Sequence, residues 1–248
     1  MKLQLIRNAT LYLEYAGVSF LFDPMFSDMG AKPPVINTTN DRRNPLVPLP
    51  VPIGEVSAPD AVIVTHLHPD HWDDAAITAL DKSVPVFCQP GDDAAIASAG
   101  FDSVSAIDTT LEYKGITIRR TSGRHGTGEI GEKMGHVSGY VLQAAGEPVV
   151  YIAGDTIWCE DVKEALDAYR PDVTVVNAGG ARFAVGDPII MDADDVVSLC
   201  RYAAYTRVVA VHMEAINHCL VTRQDLRSRL AVEELLDRVI IPQDGGWV

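Results

Sequence analysis

The sequence predicts an α/β protein, a duplicated sandwich in which two β-rich halves put their sheets inward and their helices on both flanks. Two observations predict it. Thr10 to Tyr15, a tight turn at Ala16-Gly17 and Val18 to Phe22, ending at Asp23, have a counterpart in Tyr140 to Gly146 and Pro148 to Ala153, ending at Gly154-Asp155. Further on, Pro59-Asp60-Ala61-Val62-Ile63-Val64-Thr65 is echoed by Pro171-Asp172-Val173-Thr174-Val175-Val176-Asn177. A hairpin followed by an apolar strand, occurring twice with helical stretches between, is the signature of two similar units packed together.

The elements follow in order. β-type runs open the chain at Leu3 to Ile6, Thr10 to Tyr15 and Val18 to Phe22, the last two joined as a hairpin. From Pro24 to Pro59 the character changes, because eight of the fifteen prolines fall in these 36 residues and no helical or strand period survives. A loop of that length inside a compact domain is expected to be a pocket wall, and its prolines suit a semi-rigid wall or a contact between copies in a homo-oligomer. Ala61 to Thr65 reads as a short apolar strand, with a helix near Asp73 to Leu80 after it. Val84 to Cys88 and Asp92 to Ala99 form a second strand-helix unit, stopped by Gly100. Gly115 to Thr121 is β-like and leads to the second hairpin, with a helix at about Glu160 to Tyr169. Arg207 to Val211 is a strand, and helices near Ala193 to Tyr205 and Thr222 to Asp237 close the chain, the last begun by a capping box of Thr222 and Asp225. Residues 1–248 read as a single domain carrying the proline-rich loop at 24–59.

Apolar residues make up 47% of the chain and charged residues 22%, with mean hydropathy +0.08, an ordinary globular mixture. Lys and Arg number 20 against 34 Asp and Glu, a net charge of −14, and that acidic field argues against nucleic acid or anionic membrane as partner. With no apolar leader at Met1 to Asn8 and no long apolar run, the chain reads as cytoplasmic. The dispersed cysteines Cys88, Cys159, Cys200 and Cys219 fit reduced, buried thiols.

The chemistry is concentrated in Thr65-His66-Leu67-His68-Pro69-Asp70-His71, which holds three of the seven histidines and a carboxylate directly after a buried strand. Where the backbone turns at a strand end, His66 and His68 can face one metal while Asp70 and His71 face a second. Imidazole and carboxylate donors without thiolate suit zinc first, with manganese or iron as alternatives. A polar loop with incidental histidines is the bland reading, and the spacing argues against it. Two metals need further ligands, and His125, Asp155 and His212, each just after a β-like run, are the candidates. The chain lacks a G-x-S-x-G elbow, an H-E-x-x-H helix and the lysine that a phosphate-binding loop would need near Gly126 to Gly131.

On these residues the sequence resembles the metallo-β-lactamase superfamily, whose H-x-H-x-D-H motif reads here as His66, His68, Asp70 and His71, with His125, Asp155 and His212 in the later positions. The resemblance implies a four-layer αββα sandwich. It also implies that His66, His68 and His125 hold one metal, that Asp70, His71 and His212 hold the other, and that Asp155 bridges them. Asn8-Ala9-Thr10 and the Phe22-Asp23-Pro24 turn look most like the branch containing ascorbate-6-phosphate lactonase and N-acylphosphatidylethanolamine phospholipase. That branch usually has a glycine-histidine pair where this chain has Arg7-Asn8.

The implied activity is dinuclear metal-dependent hydrolysis of a small lactone or ester, a phosphorylated sugar lactone by resemblance, through a hydroxide shared by the two metals. A phosphodiesterase is the nearest alternative, and a non-hydrolytic iron oxidoreductase on the same fold is the alternative of another class. Asp70 and His218 are the candidate catalytic groups, His218 as a hydrogen-bond donor to the developing oxyanion. Arg124 and Asn217 are candidate substrate contacts. Asp23 is placed to support a ligand histidine, while His136, Trp158 and Cys159 are weaker candidates for the pocket.

Overall fold

A computed structural model describes residues 1–248. The first half contains β1 (Lys2–Arg7), β2 (Thr10–Tyr15), β3 (Val18–Phe22), the short α1 (Ile53–Val56), β4 (Ala61–Val64), α2 (Asp74–Ala79), β5 (Val86–Cys88), α3 (Asp93–Ser98) and β6 (Val104–Ala106). The second contains β7 (Thr110–Tyr113), β8 (Ile116–Ser122), α4 (Gly128–Met134), β9 (Ser138–Gln143), β10 (Val150–Ile152) and α5 (Glu160–Tyr169), then β11 (Val173–Asn177), α6 (Ala193–Tyr202), β12 (Arg207–Val211), α7 (Arg223–Val232) and β13 (Val239–Ile240).

The strands form a six-stranded sheet in the order β1-β2-β3-β4-β5-β6 and a seven-stranded sheet in the order β13-β12-β11-β10-β9-β8-β7. In each, an antiparallel meander passes into parallel strands at β3–β4 and at β10–β11. The parallel strands are apolar throughout because both faces are covered. In β4, Ala61 and Ile63 join the core between the sheets, while Val62 and Val64 join the one beneath α2 and α3. In β12, Val209 and Val211 point into the central core and Val208 and Ala210 into the core beneath α5, α6 and α7. Helix, sheet, sheet and helix are therefore stacked as four layers.

The duplication is visible in individual hydrogen bonds. Asp60 donates its backbone N–H to the Ser19 carbonyl and accepts the Ser19 N–H on its carboxylate, both at 2.9 Å. Asp172 does the same with Val149, both at 2.8 Å. The register corrects one detail of the sequence comparison. Asp23 donates its N–H to Ile63 and Ala153 donates its N–H to Val175, so Asp23 matches Ala153 and Asp155 lies two residues farther on. The two carboxylates accordingly hold different positions at their strand ends.

Helix α6 stops at Tyr202 and α7 at Val232, shorter than their sequence patterns suggest. Glu234 after α7 has φ +59°, which breaks the helix, and a single 3-10 turn, Leu236–Arg238, precedes β13. The proline-rich loop crosses the end of the molecule where the parallel strands finish. Arg7, fully buried, donates to the carbonyls of Met25, Ser27 and Val47 and so fastens the start and the middle of that loop to β1. No helix is long and apolar enough to cross a membrane.

Candidate metal centre

The site forms where the carboxyl ends of β3, β4, β10, β11 and β12 meet, the usual place for a ligand in open α/β sheets. Each strand hands its chain to a sharp turn. Asn8, Asp23 and His212 have φ of +60°, +44° and +62°, left-handed conformations that bulky residues adopt at a cost and that concentrate at functional sites. Glycine is required beside them. A Cβ on Gly154 would lie 2.6 Å from the Ser138 carbonyl, and one on Gly179 would lie 2.1 Å from the His212 carbonyl, so neither Asp155 nor His212 could sit where it does.

Three groups of potential ligand atoms converge: His66 with His68 and His125; Asp70 with His71 and His212; and His66 with His71 and Asp155. The Nε2 atoms of His71, His125 and His66 lie 3.2, 3.5 and 3.9 Å from Asp155 Oδ2, and His212 Nε2 lies 3.6 Å from Asp155 Oδ1. His212 Nε2 is also 3.1 Å from Asp70 Oδ2 and 3.2 Å from His71 Nε2. One carboxylate therefore faces four imidazoles. His66 Nε2 is buried with no hydrogen-bond partner, a costly state in a dry interior unless a cation takes that position. The donor set and the unpartnered nitrogen fit divalent ions.

The rear of the cluster is fixed as metal-binding histidines require. Asp23 Oδ2 lies 2.9 Å from His71 Nδ1, and Asp23 also accepts from the Thr65 N–H and hydroxyl. The Ile189 carbonyl lies 2.8 Å from His125 Nδ1, which leaves Nε2 facing Asp155. Asn177, at the end of β11, donates to Asp155 Oδ1 at 2.6 Å, and Cys219 Sγ lies 3.4 Å from His212 Nδ1.

Electrostatics follow from this packing. Burial and the neighbouring His71 push His66 well below the usual imidazole range. Burial would lower His71 too, but the carboxylates of Asp155, Asp23 and Asp70 outweigh it and raise His71 to about 10. Burial would raise Asp70 and Asp155, yet His71 and His212 hold both well below the usual carboxylate range. The pocket is a nest of ionised carboxylates among imidazoles, ready to exchange protons for metal.

The other expected site residues are distributed differently. His218 is buried and adjoins Phe183, its Nδ1 has no partner, and burial pushes it down to about 4. Asn217 was expected to touch substrate, and the structure corrects this. Its amide binds the backbone of Val35 and the Asn40 carbonyl together with the side chains of Thr38 and Asn44, leaving no capacity for a ligand. Arg124 is exposed and its Nε lies 3.0 Å from Asp161, so its charge is already engaged; it borders the same glycine-rich hollow as His125 and His136. Trp158 and Cys159 pack against the core beneath the helices of the second sheet.

Sequence reasoning left Asn8 without a role. It is buried; its Nδ2 lies 3.1 Å from the Asp70 carbonyl, 3.4 Å from Asp70 Oδ2 and 3.3 Å from His212 Nε2, and its own carbonyl accepts the His212 N–H at 2.9 Å. The only sequence signal for it was its place at the position where the resembling branch has histidine.

A four-layer α/β sandwich with His and Asp side chains converging at its strand ends defines a class of metal-centred proteins. Residues 19–213 match the family described as the beta-lactamase superfamily domain, and the chain belongs to that family as a metal-dependent hydrolase. It is 36% identical over 250 residues to the UPF0173 protein YddR of Bacillus subtilis strain 168, covering 99% of this chain and 98% of the relative. It is similar to the crystal structure of an isothiocyanate hydrolase from Delia radicum gut bacteria, with 39% identity, TM-score 0.95 and coverage of 100% and 98%. A possible metal-dependent hydrolase from Veillonella parvula DSM 2008 matches with 36% identity, TM-score 0.97 and coverage of 100% and 98%.

Proposed function

We propose that the chain is a dinuclear metal-dependent hydrolase that adds water to an electrophilic carbon of a small uncharged substrate, with an isothiocyanate as the substrate class. The observation that carries the reading is the convergence of two ligand groups on Asp155, with His66 Nε2 buried and unpartnered. Two divalent ions, zinc first and manganese or iron as alternatives, would supply hydroxide at neutral pH by lowering the pKa of water to about 7. His66, His68 and His125 would hold one, Asp70, His71 and His212 the other, and Asp155 would touch both.

The protein's own groups do the rest. Asp23 and the Ile189 carbonyl keep the Nε2 atoms of His71 and His125 directed inward, and Asn177 keeps Asp155 turned toward the histidines. His218, neutral at physiological pH because of its burial, serves as hydrogen-bond donor to charge developing on the substrate.

The isothiocyanate class is supported by the relative that shares 39% identity over the whole chain. The hydrolysis balances as R–N=C=S + H2O → R–NH2 + COS. A C–O bond forms at the central carbon, the C–N bond breaks, and both water hydrogens finish on the amine nitrogen. A phosphodiester would meet the two ions themselves and stays in the screen as the nearest alternative, whereas the remote phosphate of a phosphorylated lactone would need a cation from the protein. The nearby candidates are engaged, Lys32 with Asp74, Arg124 with Asp161 and Arg182 with Asp192. An unphosphorylated lactone or ester asks the same of the site, attack at an unsaturated carbon, and belongs in the same screen.

The test is to incubate metal-replete protein with isothiocyanates, lactones, carboxylic esters, phosphodiesters and acyl thioesters, using His68→Ala as the blank. Release of amine and carbonyl sulfide in equal amounts is the expected result. Turnover confined to phosphodiesters, or a mononuclear iron protein with redox activity, would overturn the reading.

A further inference from the structure

Beside the metal groups lies a cavity of about 540 Å3 that Asp70 borders, so it adjoins the second ligand group. That volume is within the roughly 300–1,000 Å3 typical of small-molecule pockets. Its apolar lining comes from Met25, Pro33, Val35, Ile36, Trp72 and Ile216. The polar groups around it are already engaged. Lys32 Nζ lies 2.7 Å from Asp74, and Asp73 accepts the backbone N–H groups of Phe26, Ser27 and Ala76. Asn44 exchanges hydrogen bonds with Asn217 at 2.8 and 2.9 Å. What is left to meet a ligand is hydrocarbon. Ile36, 73% exposed, extends the apolar lining to the rim of this cavity.

The wall is held in place from the metal side. Val35 gives its N–H to Asn217 Oδ1 at 2.9 Å and takes Asn217 Nδ2 on its carbonyl at 3.1 Å, as a neighbouring strand would. Asn217 belongs to the turn between His212 and His218, so the same short stretch carries a ligand group, a proposed catalytic group and the anchor of the apolar wall.

We infer that this cavity receives the organic group of the substrate and selects an uncharged alkyl or arylalkyl chain. Three carboxyl side chains, Asp70, Asp73 and Asp74, border the cavity against one cation, Lys32, which is paired with Asp74, so the lining away from the ligand groups offers an anionic chain little. A cationic group would find its carboxylate partners occupied by Lys32, by backbone N–H groups and by the histidines. A neutral apolar chain matches the hydrocarbon that makes up most of the lining. The inference rests on the proposed reaction for the identity of the reacting end, while the binding of the chain is independent of it.

Two measurements test it. The first is turnover of methyl, allyl and 2-phenylethyl isothiocyanate by wild type and by Ile36→Asp, an exposed substitution that leaves the core and the ligands intact. In wild type kcat/KM should rise at least about tenfold from methyl to 2-phenylethyl, a modest demand given that one methylene in an apolar pocket is worth about 10-fold or more. In Ile36→Asp that gradient should flatten to less than about threefold, through a loss of kcat/KM for the 2-phenylethyl compound. The second measurement is titration with 2-phenylethanol, which cannot react, read by the fluorescence of Trp72 in the cavity wall with Trp72→Phe as the control. A saturable change in wild type, weakened in Ile36→Asp, supports the cavity even if no isothiocyanate is hydrolysed, in which case only the proposed reaction falls. Hydrolysis with no chain-length gradient, or a fluorescence response identical in wild type and Ile36→Asp, overturns the cavity assignment.

Discussion

His212 and His218 lie on one turn, yet different surroundings make their losses separable. His212 Nε2 faces Asp70, Asp155 and His71, whereas His218 approaches no carboxylate closely and leaves Nδ1 unpartnered. His212→Ala should lose one metal together with activity. His218→Ala should keep both metals and lower kcat by roughly 100- to 1000-fold, the loss of one hydrogen bond made in the transition state. Metal content and kinetics measured on both variants decide it, and metal loss in His218→Ala would mean that its role is ligation. Asn8 gives a second prediction. Asn8→Gly keeps the left-handed backbone accessible while removing the amide that holds Asp70. It should weaken binding of the second ion by about 10- to 100-fold and spare the first, measured by competition with a chelator; equal loss at both sites would show a general defect of folding. The histidines were legible in the sequence because four potential donors crowd into the short span from His66 to His71. Asn8 and Asn217 were not, because the partners of Asn8 lie 62 and 204 positions away and those of Asn217 lie 173 to 182 positions away.

At the scale of elements, Asp73 joins the first helix after the metal motif to the proline-rich loop. Its Oδ1 caps α2 through the Ala76 N–H and also accepts from Phe26, while Oδ2 accepts from Ser27. Asp73→Ala therefore removes a helix cap, about 1 kcal/mol, and leaves two buried donors without partners, at about 1–3 kcal/mol each. A loss of about 3 kcal/mol or more in denaturant-measured stability should follow, and a change below about 1 kcal/mol would show that water replaces the carboxylate. Elements with strong internal patterning were readable: Thr10–Tyr15, Val18–Phe22 and Arg207–Val211 stand where the apolar runs put them. Elements without a buried stripe were not. Helix α4 carries no buried residue and includes two glycines, and β7 lies at a sheet edge with alternating exposed positions, so neither leaves a pattern in the sequence. β6 and β13 are three and two residues long, too short for a period, and exist because a neighbouring strand offers hydrogen bonds.

For the whole molecule, the metal centre is also a stability device, since it lies between two sheets whose strands end at it. Ions that bind only the folded chain should stabilise it by about 4 kcal/mol at a free concentration 1,000-fold above Kd, so chelation should lower Tm by about 8–16 °C for a chain of this size. The pH dependence has a definite sign. In the metal-free protein burial would lower His71, but Asp155, Asp23 and Asp70 raise it to about 10, above the unfolded value of 6.5. Its stabilising charge is fully present below about pH 6.5 and is lost as pH climbs toward 10, leaving the carboxylates uncompensated. The depressed Asp70 and Asp155 stabilise above about pH 3.8 and contribute no change across this window. The metal-loaded protein should respond in the opposite direction, because deprotonated imidazoles bind metal more tightly as pH rises. His212 is likewise raised against its burial, by Asp155, Cys219 and Asp70, so the difference in Tm between loaded and chelated protein should widen from pH 6.5 to pH 8.5, should do so in His218→Ala as well, and should widen less in a variant lacking His71. A difference that stays constant or narrows would mean that the protons competing for this cluster are not those of the ligand histidines, and the two-metal assignment would lose its electrostatic basis.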